Sequence, residues 1–203
     1  MKIICIGRNY VDHIHELKNE VPSAPVIFLK PDTALLPKRN PFFLPDYSSD
    51  IHHEAELVLR VSKAGKNIAE KFAHRYYDAV TVGIDFTARD LQQKQKEKGL
   101  PWEISKSFDH SAPVGDFVSV SSLGDKDKIE FHLDVNGKTV QKATSDLMIY
   151  SFDKIIAYAS QFFTLRKGDF IFTGTPKGVS AVKANDKLEA YLEGKKVLAF
   201  NIK

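Results

Sequence analysis

The segment His52-His53-Glu54-Ala55-Glu56 carries the densest chemistry in the chain. It opens a run in which Ala55, Leu57, Leu59 and Val61 alternate with Glu54, Glu56, Val58 and Arg60, the period of a half-buried strand. Successive strand side chains point to opposite faces, so Glu54 and Glu56 share one. Two adjacent carboxylates repel unless positive charge lies between them. A hard divalent cation supplies that charge, and oxygen-only ligation favours Mg²⁺, Mn²⁺ or Ca²⁺ over zinc. An acidic pair alone also suits a solvated strand face, so the metal reading needs further ligands. Asp85 is such a residue. It closes the apolar run YDAVTVGIDF, where a carboxylate is paired or metal-bound unless it merely turns the chain.

Lys106 lies in WEISKSFDH between Trp102 and Phe108, a partly desolvated place from which an ammonium reaches an oxyanion. The alternative is a surface lysine whose stem lies along apolar neighbours. His13 and Glu16 are spaced i, i+3, so one helical turn brings carboxylate to imidazole and raises its basicity, although surface helices show the same spacing. Thr173-Gly174-Thr175-Pro176-Lys177-Gly178 follows the apolar FIF, and either lets backbone N–H groups approach an anion or makes a tight turn. No G-x-S-x-G is present and no G-x-G-x-x-G follows a strand, so serine-hydrolase and dinucleotide-binding readings lack support.

Positioning such groups falls to a chain of 203 residues with 43% hydrophobic residues and one cysteine, a composition that predicts one domain over residues 1–203 with no disulfide or zinc framework. The net charge of +3 is spread along the sequence, and QQKQKEKG at 92–99 reads as a solvated helix face, so no nucleic-acid surface is expected. The first apolar run spans only Ile3 to Ile6 and no run could cross a bilayer, which leads us to expect a soluble, cytoplasmic protein without membrane partners.

KIICIG reads as a buried first strand, and PVIFLKP as a second ended by Pro31. Around the latter, DHIHELKN and the proline-punctuated stretch from Pro22 to Pro45 read as a mobile loop with one marginal helical turn. Helical composition covers Asn67 to Arg75, and YDAVTVGIDF suits a central strand. Thr87 with Asp90 resembles a capping box for a helix running to Gly99. Asn136-Gly137 signals a hairpin, and Ser151 to Thr164 is amphipathic at helical spacing. Strands outnumber helices, so an α+β fold of mixed, mostly β sheet curled on itself is expected.

Six ordered blocks extend these signals: IGRNYVDHIHEL at 6–17, PVIFLKP at 25–31, IHHEAELVLRV at 51–61, GIDFTARDLQ at 83–92, PWEISKSFDHSAPVG at 101–115 and IFTGTPKGV at 171–179. Together they resemble the fumarylacetoacetate hydrolase family, in its short single-domain branch of acylpyruvate hydrolases and oxaloacetate decarboxylases. The resemblance implies that family's mixed β-roll fold, usually as a homodimer, with Glu54, Glu56 and Asp85 as metal ligands and Lys106 as catalytic lysine. It implies that His13 and Glu16 form a water-activating dyad on a lid, and that Arg89, Gln92 and Thr175 contact the substrate. The expected activity is Mg²⁺-dependent cleavage of the carbon–carbon bond of a small 3-acylpyruvate-type diketo acid, as in aromatic catabolism. Decarboxylation of oxaloacetate, or hydration or isomerisation of unsaturated 2-oxo dicarboxylic acids, are the alternatives.

Overall fold

The computed structural model describes residues 1–11, 22–125 and 128–203. Its central sheet holds β1 (Ile3–Gly7), β2 (Val26–Lys30), β4 (Ala55–Val61), β5 (Tyr77–Ile84), β7 (Val118–Ser119) and β10 (Phe170–Phe172). Their spatial order is β2-β1-β10-β4-β5-β7. Within this sheet β1 and β10 run parallel and the other neighbours antiparallel. A three-stranded sheet orders β11 (Ser180–Ala181), β3 (Ile51–His53) and β6 (Thr87–Ala88). A four-stranded one orders β13 (Lys195–Asn201), β12 (Lys187–Leu192), β8 (Glu130–Val135) and β9 (Lys138–Thr144). The expected strand-dominated α+β fold is thus what forms.

One large apolar cluster joins Leu57, Leu59, Val80 and Val82 of the central sheet to Phe131, Leu133, Leu188 and Ala190 of the four-stranded sheet. The helix Phe152–Phe162 adds Ile155, Ile156 and Ala159 to it. On the opposite face of β4, Val58 packs in a second cluster with Ile3, Cys5, Ala34, Ala112 and Phe172. The expectation of a half-buried β4 therefore needs correction: the strand is covered on both faces, and its alternation separates two cores rather than core from water.

Local signals fared unevenly. Asn136 and Gly137 take φ of 53° and 77°, the left-handed pair that a two-residue hairpin between β8 and β9 demands. Ser151 caps its helix by accepting the Lys154 N–H at 3.3 Å. The capping box at Thr87 does not form. The helix spans Arg89–Lys98 with Ala88 at its cap, Thr87 belongs to β6, and Asp90 instead accepts from the Ser48 hydroxyl at 2.6 Å. Nor is 92–99 a wholly solvated face, since Gln92 and Gln95 are buried. Asn67 to Arg75 yields only a 3₁₀ segment over Glu70–Arg75. No helix among the described residues is long and apolar enough to cross a membrane.

Candidate metal centre

β4 and β5 pair with Ala55 opposite Ile84, so the residue preceding one strand meets the residue following the other. The Asp85 N–H accordingly donates to the Glu54 carbonyl at 2.8 Å. Glu54 fills the one-residue break between β3 and β4, and Glu56 follows as the second residue of β4. Carboxylate oxygens of Glu54, Glu56 and Asp85 all lie within 4.8 Å of one another, on residues 5%, 2% and 1% exposed. At that separation each like-charge pair repels by roughly 3–4 kcal/mol even at an effective dielectric constant of about 20.

Three cations answer part of this charge. Glu54 Oε1 meets Arg89 Nη2 at 2.6 Å and its Oε2 meets Lys106 Nζ at 2.7 Å. Lys106 Nζ also reaches Asp85 Oδ2 at 2.6 Å, and Lys30 Nζ lies 2.8 Å from Asp85 Oδ1. Glu56 has no ion-pair partner among the described residues. Its Oε2 accepts the Gly174 N–H at 2.7 Å. That approach requires glycine: Gly174 has φ of 102°, and a Cβ there would fall 2.6 Å from that of Asn9. The anion met by the Thr173–Gly178 turn is thus the protein's own carboxylate.

Burial pushes the Glu56 carboxyl well above the usual range, and the charges of Asp85 and Glu54 push it further, against the smaller pull of the Gly174 N–H and Lys106. For Lys106, burial favours losing the proton, but Asp85 and Glu54 outweigh it and hold the ammonium above its ordinary value. A hard divalent cation fits this donor set: three carboxylate oxygens, no nitrogen or sulfur, and one buried carboxylate with no ion-pair partner among the described residues.

A cleft opens over these groups. Phe28 and Trp102 give it aromatic lining, Arg8, Arg89 and Lys96 give it positive charge, and Gln92 and Thr175 complete it. Partial burial, with Arg89 and Arg8 nearby, holds the Lys96 ammonium below its ordinary value. Arg89 Nη1 also donates to Gln92 Oε1 at 2.7 Å, so the two residues act as one unit.

Every sequence-identified site residue among the described ones, Glu54, Glu56, Asp85, Arg89, Gln92, Lys106 and Thr175, lines this cleft. His13 and Glu16 lie outside the described residues. The surroundings of Lys106 differ from expectation: its Nζ lies 5.2 Å over the Phe28 ring, with Trp102 edge-on to Phe28, whereas Phe108 lies against Lys30. Sequence reasoning missed Lys30, Arg8 and Lys96. Lys30 did leave a signal, a lysine closing an apolar strand immediately before a proline.

The profile of the family described as "Fumarylacetoacetate (FAA) hydrolase C-terminal" matches residues 2–203. The mouse protein "Oxaloacetate tautomerase FAHD1, mitochondrial" is 43% identical over 201 residues, covering 99% of this chain and 91% of its own. "Oxaloacetate tautomerase YcgM" of Escherichia coli is 38% identical over 194 residues, covering 95% of this chain and 89% of its own. Among solved structures, fumarylpyruvate hydrolase from Pseudomonas aeruginosa, in complex with Mn²⁺ and pyruvate, superposes with a TM-score of 0.94 at 35% identity, covering all of this chain and 89% of that one.

Proposed function

The chain belongs to the fumarylacetoacetate hydrolase family, and from that premise we propose that it is a divalent-metal enzyme of small 2-oxo acids whose principal reaction is keto–enol interconversion of oxaloacetate. The observation that carries the reading is the convergence of Glu54, Glu56 and Asp85 beneath a cleft lined by Arg8, Arg89, Lys96 and Lys106. Such a site suits a substrate that is both a chelator and an anion. The choice of oxaloacetate over a diketo acid follows the names of the relatives at 43% and 38% identity. This favours the oxaloacetate substrate of the decarboxylase alternative over the acylpyruvate hydrolysis first expected from sequence, with tautomerisation, the reaction the relatives' names give, in place of decarboxylation.

Glu54, Glu56 and Asp85 would hold the cation, with Mg²⁺ the choice that oxygen-only donors suit. When bound, it supplies Lewis-acid charge at the 2-oxo acid end of the substrate. Arg89, oriented by Gln92 and Glu54, offers a planar donor pair to a carboxylate, and Arg8 and Lys96 add charge at the cleft. Tautomerisation removes a proton from carbon 3 and delivers one to the 2-oxo oxygen. Negative charge develops on that oxygen, and Lys106, kept protonated by Asp85 and Glu54, is the group placed to balance it. His13 and Glu16 are assigned the proton transfer at carbon 3.

Fumarylpyruvate hydrolysis is the second reading, favoured by the Pseudomonas structure. The same anionic oxygen develops there, with the dyad taking its proton from water instead. Following the decay of enol absorbance in freshly dissolved oxaloacetate, beside pyruvate release from a panel of acylpyruvates, separates the two. We expect metal-dependent acceleration of tautomerisation with the higher kcat/KM. Efficient acylpyruvate cleavage with no acceleration of tautomerisation would overturn the assignment.

A further inference from the structure

The edge of β4 that faces β10 poses a problem of backbone hydrogen bonding. β10 pairs with β4 only as far as Phe172 opposite Val58, and the Thr173 N–H makes the last strand-like bond, to the Leu57 carbonyl at 3.1 Å. Beyond it the chain turns away through Gly174. Ala55, the residue between the two glutamates, therefore has no neighbouring strand on this side among the described residues, and buried backbone groups cannot be left unpaired without cost.

Side chains stand in for the missing strand. The Thr173 hydroxyl donates to the Leu57 carbonyl at 2.9 Å and the Thr175 hydroxyl to the Ala55 carbonyl at 2.8 Å. Gln141, reaching across from β9, accepts the Ala55 N–H on its Oε1 at 2.9 Å and donates from Nε2 to the Thr175 hydroxyl at 2.9 Å and the Pro176 carbonyl at 3.0 Å. His53 Nδ1 lies 3.0 Å from the same Gln141 Oε1, and its Nε2 lies 2.8 Å from the Ser180 hydroxyl. Because Oε1 only accepts, Nδ1 carries the ring proton and Nε2 accepts from Ser180. Gln141, His53 and Thr175 are 2%, 1% and 3% exposed.

We propose that Gln141 is a positioning residue for the metal centre: with Thr175 and His53 it clamps both backbone groups of Ala55 and so holds the Glu54 and Glu56 carboxylates in register. The proposal rests on the reading of Glu54, Glu56 and Asp85 as metal ligands. It also gives the Thr175 hydroxyl a task distinct from substrate contact, since its one proton is committed to the main chain. Nothing in the spacing of the sequence announces Gln141, which lies 85 residues beyond Glu56 on a different sheet.

The test is calorimetric titration with Mn²⁺ alone, beside melting curves, for the wild type, Gln141→Leu, Thr175→Val, Thr175→Ser and Ser160→Ala. Ser160 accepts the buried Ile68 N–H at 2.8 Å and donates to the Ala157 carbonyl at 2.9 Å, far from the carboxylates in sequence and element, so its variant controls for loss of buried side-chain-to-backbone bonds. Gln141→Leu and Thr175→Val should weaken Mn²⁺ binding by roughly tenfold to a hundredfold, the usual effect of losing a group that orients metal ligands. Thr175→Ser should retain affinity, and Ser160→Ala should lower the melting temperature without changing it. If Gln141→Leu does not fold, the Thr175 pair decides. Wild-type affinity in folded Gln141→Leu, or in Thr175→Val, removes the proposal while leaving the metal centre standing. A wild type that binds no Mn²⁺ removes both.

Discussion

Glu56 on β4 and Glu189 on β12 carry the same side chain on antiparallel strands, in surroundings that shift their protons in opposite directions. Glu189 is half-buried, with Lys187 Nζ and Lys196 Nζ each 3.0 Å away, on lysine side chains 52% and 50% exposed to solvent. Hydrogen bonds from Lys196 and Lys187 hold its carboxyl below the usual range. Glu56 is buried beside two more carboxylates and is pushed up. Water and mobile lysines make the first site undemanding, and such pairs contribute little to stability. The second places a carboxyl with no ion-pair partner among the described residues in low dielectric beside two others, so ionising it costs stability unless a cation balances the charge.

Removing the demanding charge has the largest expected effect. Glu56→Gln should lower metal-dependent turnover by roughly a hundredfold or more, while the EDTA-treated variant melts above the EDTA-treated wild type because a buried like-charge cluster has been relieved. A variant that keeps near wild-type turnover would dissolve the contrast with Glu189.

Lys106→Met comes next. Removing one partner of a buried ion-pair network costs about 3–5 kcal/mol, so the metal-free variant should melt well below wild type, and saturating Mn²⁺ should recover much of the difference. Its kcat should still fall by roughly a hundredfold, because the ammonium is needed where negative charge develops. Unchanged kcat with normal metal affinity would remove Lys106 from the chemistry.

The two glutamates should also give opposite pH slopes. A carboxyl raised in the fold contributes stability at acidic pH, and that contribution is lost as pH rises from the ordinary value of 4.5 through the raised one. A lowered carboxyl contributes above the ordinary value and loses its contribution as pH falls through the depressed one. In EDTA-treated protein Glu56→Gln should therefore gain most over wild type at neutral pH and least near pH 4. Glu189→Gln should lose a little at neutral pH, less at high salt, and nothing in strong acid. The Glu189 effect is the smallest predicted here, about a degree or two of melting temperature at most.

The sequence revealed what repeats locally. Alternation placed Glu54 and Glu56 together, Asn136-Gly137 marked its turn, and the apolar run to Asp85 announced a strand end. What it hid depends on contacts made across elements. Lys30 is legible as a residue of β2, but not as the counter-charge of Asp85, because that contact crosses 55 positions of chain. Arg8 and Lys96 read as ordinary surface cations until β1 and the helix Arg89–Lys98 meet at one cleft. The half-buried reading of β4 failed because alternation reports two faces, not what covers them, and the Thr87 capping box failed because β6 claimed Thr87 first.

The most direct test is a crystal structure of the protein soaked in Mn²⁺, with anomalous differences used to place the ion. The account predicts one strong peak with an oxygen of each of Glu54, Glu56 and Asp85 within about 2.5 Å, near the ~2.1 Å of an Mg²⁺–oxygen bond. A fully occupied peak elsewhere, or none while these carboxylates stay bonded to Lys106, Arg89 and Lys30, would contradict it.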